Sequence, residues 1–275
     1  MRFRRPPEPE EFYIGYQPKA GREYKKFIRL VIFALMVVSY FAVSFLVSNQ
    51  RGFSNGKYDI NQFTELEGTL MLEPFAAIKT FYGKGIYGNP IVKTIPLVNY
   101  GKFGADPILQ NIEQQHKTDL PNLWVKIRGK LIFNHGVVLM ELSEKEKSIL
   151  TVSPISKEQQ KSIAAPIIAD MDSVTLTGQI IDPKCYFGVM KPGEGKPHSD
   201  CAIRCIAGGI QPLLMIKNQN GEETYFILRD EHLDPVNEKV IPYVGIPVTI
   251  TGQLTKADDW FVLKINPENG IKEAE

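Results

Sequence analysis

Cysteine is nearly absent from this chain. Of 275 residues only Cys185, Cys201 and Cys205 are cysteine, all within "KCYFGVMKPGEGKPHSDCAIRC" (184–205). Three is an odd number, which excludes complete pairing into disulfides within one chain. An excess of one charge is also missing: 32 basic against 31 acidic residues leave a net charge of +1. That balance gives no electrostatic reason for nucleic acid as a partner, and none is expected. There is no low-complexity tail. Catalytic motifs are missing as well. "GEGKPH" (193–198) departs from the Gly-x-x-x-x-Gly-Lys-Ser/Thr phosphate loop. No Ser-His-Asp order or paired-carboxylate pattern stands out, so an enzyme is not the expectation. Without Cys-x-x-Cys-His, covalent haem attachment has no site.

One long apolar run is present. Leu30 to Val47, "LVIFALMVVSYFAVSFLV", carries no charge over 18 residues. As a helix it rises about 27 Å, near the hydrocarbon thickness of a bilayer. Ser48, Asn49 and Gln50 suit the headgroup region, so residues 30–50 are assigned as a transmembrane helix in a lipid bilayer. Arg2, Arg4, Arg5, Lys19, Arg22, Lys25, Lys26 and Arg29 precede the run; only Arg51 and Lys57 follow it closely. The positive-inside rule then places residues 1–29 in the cytoplasm and the rest outside, on the periplasmic face of an inner (plasma) membrane. A cleaved signal peptide fits less well, because no small-x-small site follows the run. The segment "RRPPEPEEFYIGYQPKAG" (4–21) cannot bury a core alone; it either lies on the membrane or a partner or stays unstructured.

Beyond the run the chain reads as β-strands. Alternating or β-branched stretches fall at 65–72, 91–98, 123–133 and 136–142, and again at 173–182, 210–217, 223–230, 246–255 and 260–266. "NHG" (134–136), "NQNG" (218–221) and "KADD" (256–259) read as hairpin loops. The two sets overlay: "LEGTL" (66–70) on "LTGQI" (176–180), and "WVKIRGKLIFNHGVVLMEL" (124–142) on "VTITGQLTKADDWFVLKI" (248–265). Gly68, Gly129, Gly178 and Gly252 recur inside strands, where a small barrel turns its corner. The expected fold is all-β, with one N-terminal transmembrane helix and two tandem OB-like barrels at 58–157 and 172–272. A β-sandwich is the alternative. The closing-hairpin pattern resembles that of OB-fold domains found outside the bacterial cytoplasm.

The halves differ after their first strand. The first runs "FAAIKTFYGKGIYGNPIVKTI" (75–95); the second runs "PKCYFGVMKPGEGKPHSDCAIRCIAGGI" (183–210) and holds every cysteine. Residues 198–209 are expected to form a short helix, capped by Ser199 or Asp200 and stopped by Gly208 and Gly209. His198, Cys201 and Cys205 then share a face, with Ala202 and Ile206 turned to the barrel. The flexible 188–197 loop would fold back to bring Cys185 to that helix. Cys185, His198, Cys201 and Cys205 are the candidate metal ligands, a set that suits zinc or copper.

Cys-x-x-x-Cys with a nearby histidine resembles the ligand pattern of the Sco copper chaperones and of the dinuclear copper subunit of cytochrome oxidase. The similarity is to three ligands; the thioredoxin-like surroundings of the first family and the remaining ligands of the second are absent. A membrane-anchored OB-fold also resembles the haem chaperone of cytochrome c maturation, whose attachment motif is missing here. The alternative chemistry is a disulfide from Cys185 to Cys201 or Cys205, which leaves one free thiol and staples the insert with about 3 kcal/mol of loop-closure stabilisation. A helix-spaced Cys201–Cys205 bridge fits less well. Two roles follow as expectations. One is an accessory subunit or assembly factor of a membrane redox complex, with other subunits as partners and a metal or redox-thiol site. The other is a structural scaffold with a disulfide staple.

Overall fold

The computed structural model describes residues 22–49, 56–84, 86, 90–163 and 168–274. The N-terminal segment 1–21 and Gln50 lie outside the described residues, and so do the expectations placed on them. The chain divides into two compact units at Gly52/Phe53. In the first unit, α1 spans Arg22–Asn49, beginning earlier than the apolar run itself. Its stretch Tyr24–Ser48 is long and apolar enough to cross a membrane, and none of its most apolar window is buried. Lys25, Lys26 and Arg29 extend the helix on its N-terminal side.

The second unit is mostly β. Its first half comprises β1 (Lys57–Tyr58), β2 (Thr64–Met71), β3 (Ala77–Lys84), β4 (Pro90–Asn99), β5 (Leu123–Asn134), β6 (Val137–Leu142) and β7 (Ile149–Pro154). Helix α2 (Asp106–His116) lies between β4 and β5, and α3 (Lys157–Ser162) closes the half. The second half comprises β8 (Ile168–Ile181), α4 (Ser199–Ala207), β9 (Leu213–Lys217), β10 (Glu223–Arg229), α5 (Asn237–Val240), β11 (Pro247–Ala257), β12 (Trp260–Ile265) and β13 (Ile271–Glu273). Strand formation follows the period-2 pattern: along β5, Leu123, Val125, Ile127 and Gly129 are buried while Trp124, Lys126, Arg128 and Lys130 are half-buried. The 134–136 turn closes because His135 (φ 44°) and Gly136 (φ 83°) both take left-handed backbone, as a two-residue hairpin loop requires.

Both halves are closed five-stranded barrels. The first runs β2-β3-β4-β6-β5 and back to β2, with β4 and β6 parallel. The second repeats this as β8-β9-β10-β12-β11 and back to β8, with β10 and β12 parallel. This is the OB strand order, and it replaces the sandwich alternative. Register repeats too. Gly68 pairs with Val125, four residues before Gly129, and Gly178 pairs with Val248, four residues before Gly252. A Cβ on these glycines would come within 2.0–2.4 Å of a carbonyl oxygen on the next strand: Lys79, Glu141, Met215 and Lys264 in turn. The strands close on one another only because no side chain stands there.

Several elements carry no clear cue in the sequence. Most of 75–95, the first half's counterpart of the Cys-bearing insert, is β3 and the start of β4. Strands β1 and β13 have two and three residues, too few to show a period, and β7 is mostly exposed, with no alternation of buried and exposed positions. Helix α2 carries a readable signal, with proline in its first turn, Asp106 at its start and Ile108, Leu109 and Ile112 buried on one side.

Each barrel has its own apolar interior, Leu70, Ile78, Ile95, Val125 and Met140 in the first and Ile180, Leu214, Leu228, Val248 and Leu263 in the second. A third cluster fills the seam between them, joining Phe75, Val98, Ile132 and Leu139 to Phe187, Ile210, Leu213, Trp260 and Val262. The hairpin after β11 enters this seam. Trp260 Nε1 donates to the Thr94 carbonyl at 2.8 Å, and the Thr94 hydroxyl donates to Asp258 Oδ2 at 2.9 Å. Lys79 pairs with Asp258 at 2.9 Å with both side chains largely buried. Asn134 Nδ2 donates to the Tyr225 hydroxyl at 3.0 Å. These polar contacts across an apolar cluster join the two barrels into one compact unit.

Candidate metal centre

The Cys-bearing insert joins the first two strands of the second barrel. At its start β8 ends on Ile181, and Asp182 turns the chain: Asp182 Oδ1 accepts from the Lys184 amide at 2.9 Å. Residues Cys185–Val189 then wind as one wide π-helical turn, with Cys185, Tyr186 and Phe187 buried. Tyr186 anchors this turn by donating its hydroxyl to Glu223 Oε1 at 2.7 Å, and its ring meets those of Phe187 and Tyr225 edge-on. The 190–197 loop folds back, as the glycines and prolines of the sequence imply, and returns the chain to α4.

Helix α4 matches the expected short helix, and it stops at Gly208 and Gly209, the latter with φ 97°. Its start differs from the expectation. His198 occupies the N-cap position with no side-chain cap, and the Ser199 hydroxyl donates back to the Lys196 carbonyl at 2.9 Å. A preceding 3-10 turn, Lys196–His198, already directs the chain into the helix, so a side-chain cap is not what starts it. Ala202 and Ile206 plug the second barrel, as expected. Cys205 belongs to the seam cluster and Cys201 packs against it.

All four expected residues meet in this one region, in two overlapping groups. The sulfurs of Cys185, Cys201 and Cys205 lie within 4.8 Å of one another, with Cys185 and Cys201 at 4.0 Å. Cys185 also lies within 4.8 Å of His198 and of Asp182, a carboxylate that sequence reasoning did not select. The three cysteines are free thiols. A disulfide needs a sulfur separation near 2.05 Å, so the staple is not formed in this structure. A tetrahedral ion with 2.3 Å bonds sets its sulfurs about 3.8 Å apart, close to what Cys185 and Cys201 show.

The surroundings are dry and polar in the right places. Cys185 and His198 are 4% exposed, Cys205 1% and Asp182 0%. Among the described residues, His198 Nε2 and Asp182 Oδ2 are buried without a hydrogen-bond partner, each a cost of about 1–3 kcal/mol until a partner arrives. A hydrogen bond with Cys205, burial and the Asp182 carboxylate together push the Cys185 thiol far above the ordinary thiol range. Burial lowers the His198 imidazole below its usual value, which leaves a neutral ring able to offer a lone pair.

The first barrel contributes a cation that no local sequence pattern places. Lys102, in the loop after β4, puts its ammonium 3.1 Å from Cys201 Sγ, and that hydrogen bond raises the lysine above its ordinary value. The loop lies flush on the end of α4, where Gly104 N donates to the Gly208 carbonyl at 3.0 Å. A Cβ on Gly208 would fall 1.9 Å from the Lys102 carbonyl oxygen. In the opposite direction, Lys184 of the insert buries its ammonium on Glu141 Oε2 at 2.5 Å and on the Asn99 and Gly101 carbonyls at 2.9 and 2.6 Å. The cluster thus belongs to the joint between barrels and not to the second barrel alone. Thiols, imidazole and carboxylate in this arrangement form groups that could hold a metal ion. No protein-family model matches the chain, and no curated protein matches it.

Proposed function

We propose that this protein is a membrane-anchored accessory subunit or assembly factor of a membrane redox complex, carrying a thiolate metal site at the seam of its two barrels. The observation that carries the reading is the convergence of three free cysteine sulfurs in a buried seam beside an imidazole whose Nε2 has no hydrogen-bond partner among the described residues. Zinc or copper suits the three sulfurs: thiolates favour both Zn²⁺ and Cu⁺. Helix α1 serves as the anchor, with its basic N-terminal flank in the cytoplasm and the barrels on the periplasmic face. The barrel surfaces dock the neighbouring subunits.

Metal analysis coupled to thiol counting tests the site. Protein purified anaerobically with reductant is expected to carry bound metal, and its three thiols to become titratable only after chelation. Three thiols titrating freely with no metal present would overturn the metal reading. The 4.0 Å approach of Cys185 to Cys201 supports a second reading, the scaffold with a staple. Mass spectrometry showing a Cys185–Cys201 bridge in unreduced, metal-free protein selects it. Orientation has a separate check. A phosphatase reporter that works only outside the cytoplasm is expected to be active when fused after residue 275, and a silent fusion in a stably inserted protein rejects the orientation.

A further inference from the structure

As placed, one ion does not account for the whole donor set. Ligands of a single tetrahedral zinc ion, at about 2.3 Å for sulfur and about 2.1 Å for nitrogen, stand about 3.6–3.8 Å apart. Among the described residues no single group holds His198 together with all three sulfurs, even at 4.8 Å; His198 groups with Asp182 and Cys185. Cys185 is the member common to both groups. The second group has its own mark of a missing cation. The carboxylate of Asp182 is fully buried, and among the described residues no basic side chain pairs with it. Lys184, the nearest lysine in sequence, sends its ammonium the other way, to Glu141. A buried carboxylate without a counter-charge is costly, and it lies beside an imidazole nitrogen that also lacks a partner.

We infer that Cys185 is a bridging thiolate between two adjacent zinc positions, the first completed by Cys201 and Cys205 and the second by Asp182 and His198. The inference rests on the metal reading above and deepens it by fixing the number and class of ions. Ligand type supports zinc: thiolate, imidazole and carboxylate are all ordinary zinc ligands, whereas the carboxylate is a poor partner for the soft Cu⁺ ion. Three thiolates, one carboxylate and the Lys102 ammonium beside Cys201 carry three net negative charges, which two divalent ions bring to within one charge of neutral. Both ions would displace protons from the thiols as they bind.

The full chain in detergent, stripped by chelator and reloaded with zinc alone, provides the test. Two zinc ions per chain are expected, falling to one in Asp182→Asn and in His198→Ala, with the three thiols still protected in both variants. X-ray absorption on the wild type needs no variant to fold. It is expected to show mixed sulfur and nitrogen/oxygen ligation with a metal–metal shell at or below about 4 Å. One zinc per chain that neither substitution disturbs overturns the paired centre, and so does one zinc lost on His198→Ala. Both of those outcomes leave the thiolate site standing. No zinc and no other metal in the wild type brings down the metal reading itself.

Discussion

Replacing Lys184 with methionine lowers the free energy of unfolding by about 3–5 kcal/mol, the cost of stripping one partner from a buried ion pair. The side chains of Lys184 and Glu141 are only 4% and 5% exposed. Glu141 also accepts from the Tyr58 hydroxyl at 2.9 Å and from Ser143 at 2.6 Å. Methionine fills the volume of lysine but leaves that carboxylate buried with no cation. Urea denaturation of the full chain measures the loss. The double variant K184M/E141Q is expected to recover most of it, because glutamine keeps an acceptor for both hydroxyls and removes the stranded charge. A single variant as stable as wild type would mean that the pair does not hold the barrels together.

The same carboxylate sets an acid limit. Burial alone would raise Glu141, but the bonds from Lys184, Ser143 and Tyr58 outweigh it and hold the group below its ordinary 4.5. A carboxylate depressed in the folded state contributes stability that is fully present above its unfolded value. That stability drains away as pH falls from about 4.5 through the folded value. Stability profiles of wild type should therefore bend downward below that point, and E141Q should flatten that limb.

Cys185→Ser is expected to abolish metal retention, where loss of any other ligand only weakens or halves it. Cys185 is the sole residue in both ligand groups, so its removal empties each at once. Substituting a ligand's outer-shell partner typically costs 10–100-fold in affinity; the drop for Cys185→Ser is expected to exceed about 100-fold. Cys201→Ser, which touches only the three-sulfur group and is half-exposed, should retain the second ion. Competition with a chromophoric chelator reads these differences, and circular dichroism confirms that the variants fold. Equal affinities for Cys185→Ser and Cys201→Ser would remove Cys185 from its central place.

Much of this architecture was legible because it depends on local rules. Period-2 burial along β5, the Asn-His-Gly turn and the matched strand glycines all act within one or two strands, and they gave the barrels and their duplication. Helix α4 was legible for the same reason, since Gly208 and Gly209 mark its end. The site was legible only in part. Cysteine is chemically conspicuous, so Cys185, Cys201 and Cys205 announced themselves, whereas Asp182 is one of 31 acidic residues and gave no cue of its own. Lys102 lies 99 positions from Cys201. Nothing local to either residue specifies their contact; it comes from packing the loop after β4 against α4. The seam was invisible for the same reason. Each barrel's interior follows from its own alternation, but which outer faces bury against each other is a property of the docked pair.

The candidate ligands share one insert but the cation beside them does not, and this has a consequence for timing. Asp182 and Cys185 follow one barrel's first strand, Cys201 and Cys205 ride the helix that plugs it, and the lysine beside Cys201 arrives from the other barrel. Contacts of long sequence separation form late, after local ones have closed. The thiols therefore gather as their own barrel folds, whereas the lysine beside Cys201 and the apolar seam around Cys185 and Cys205 arrive only when both barrels have docked. Until that step the thiols stand open to solvent and to oxidants.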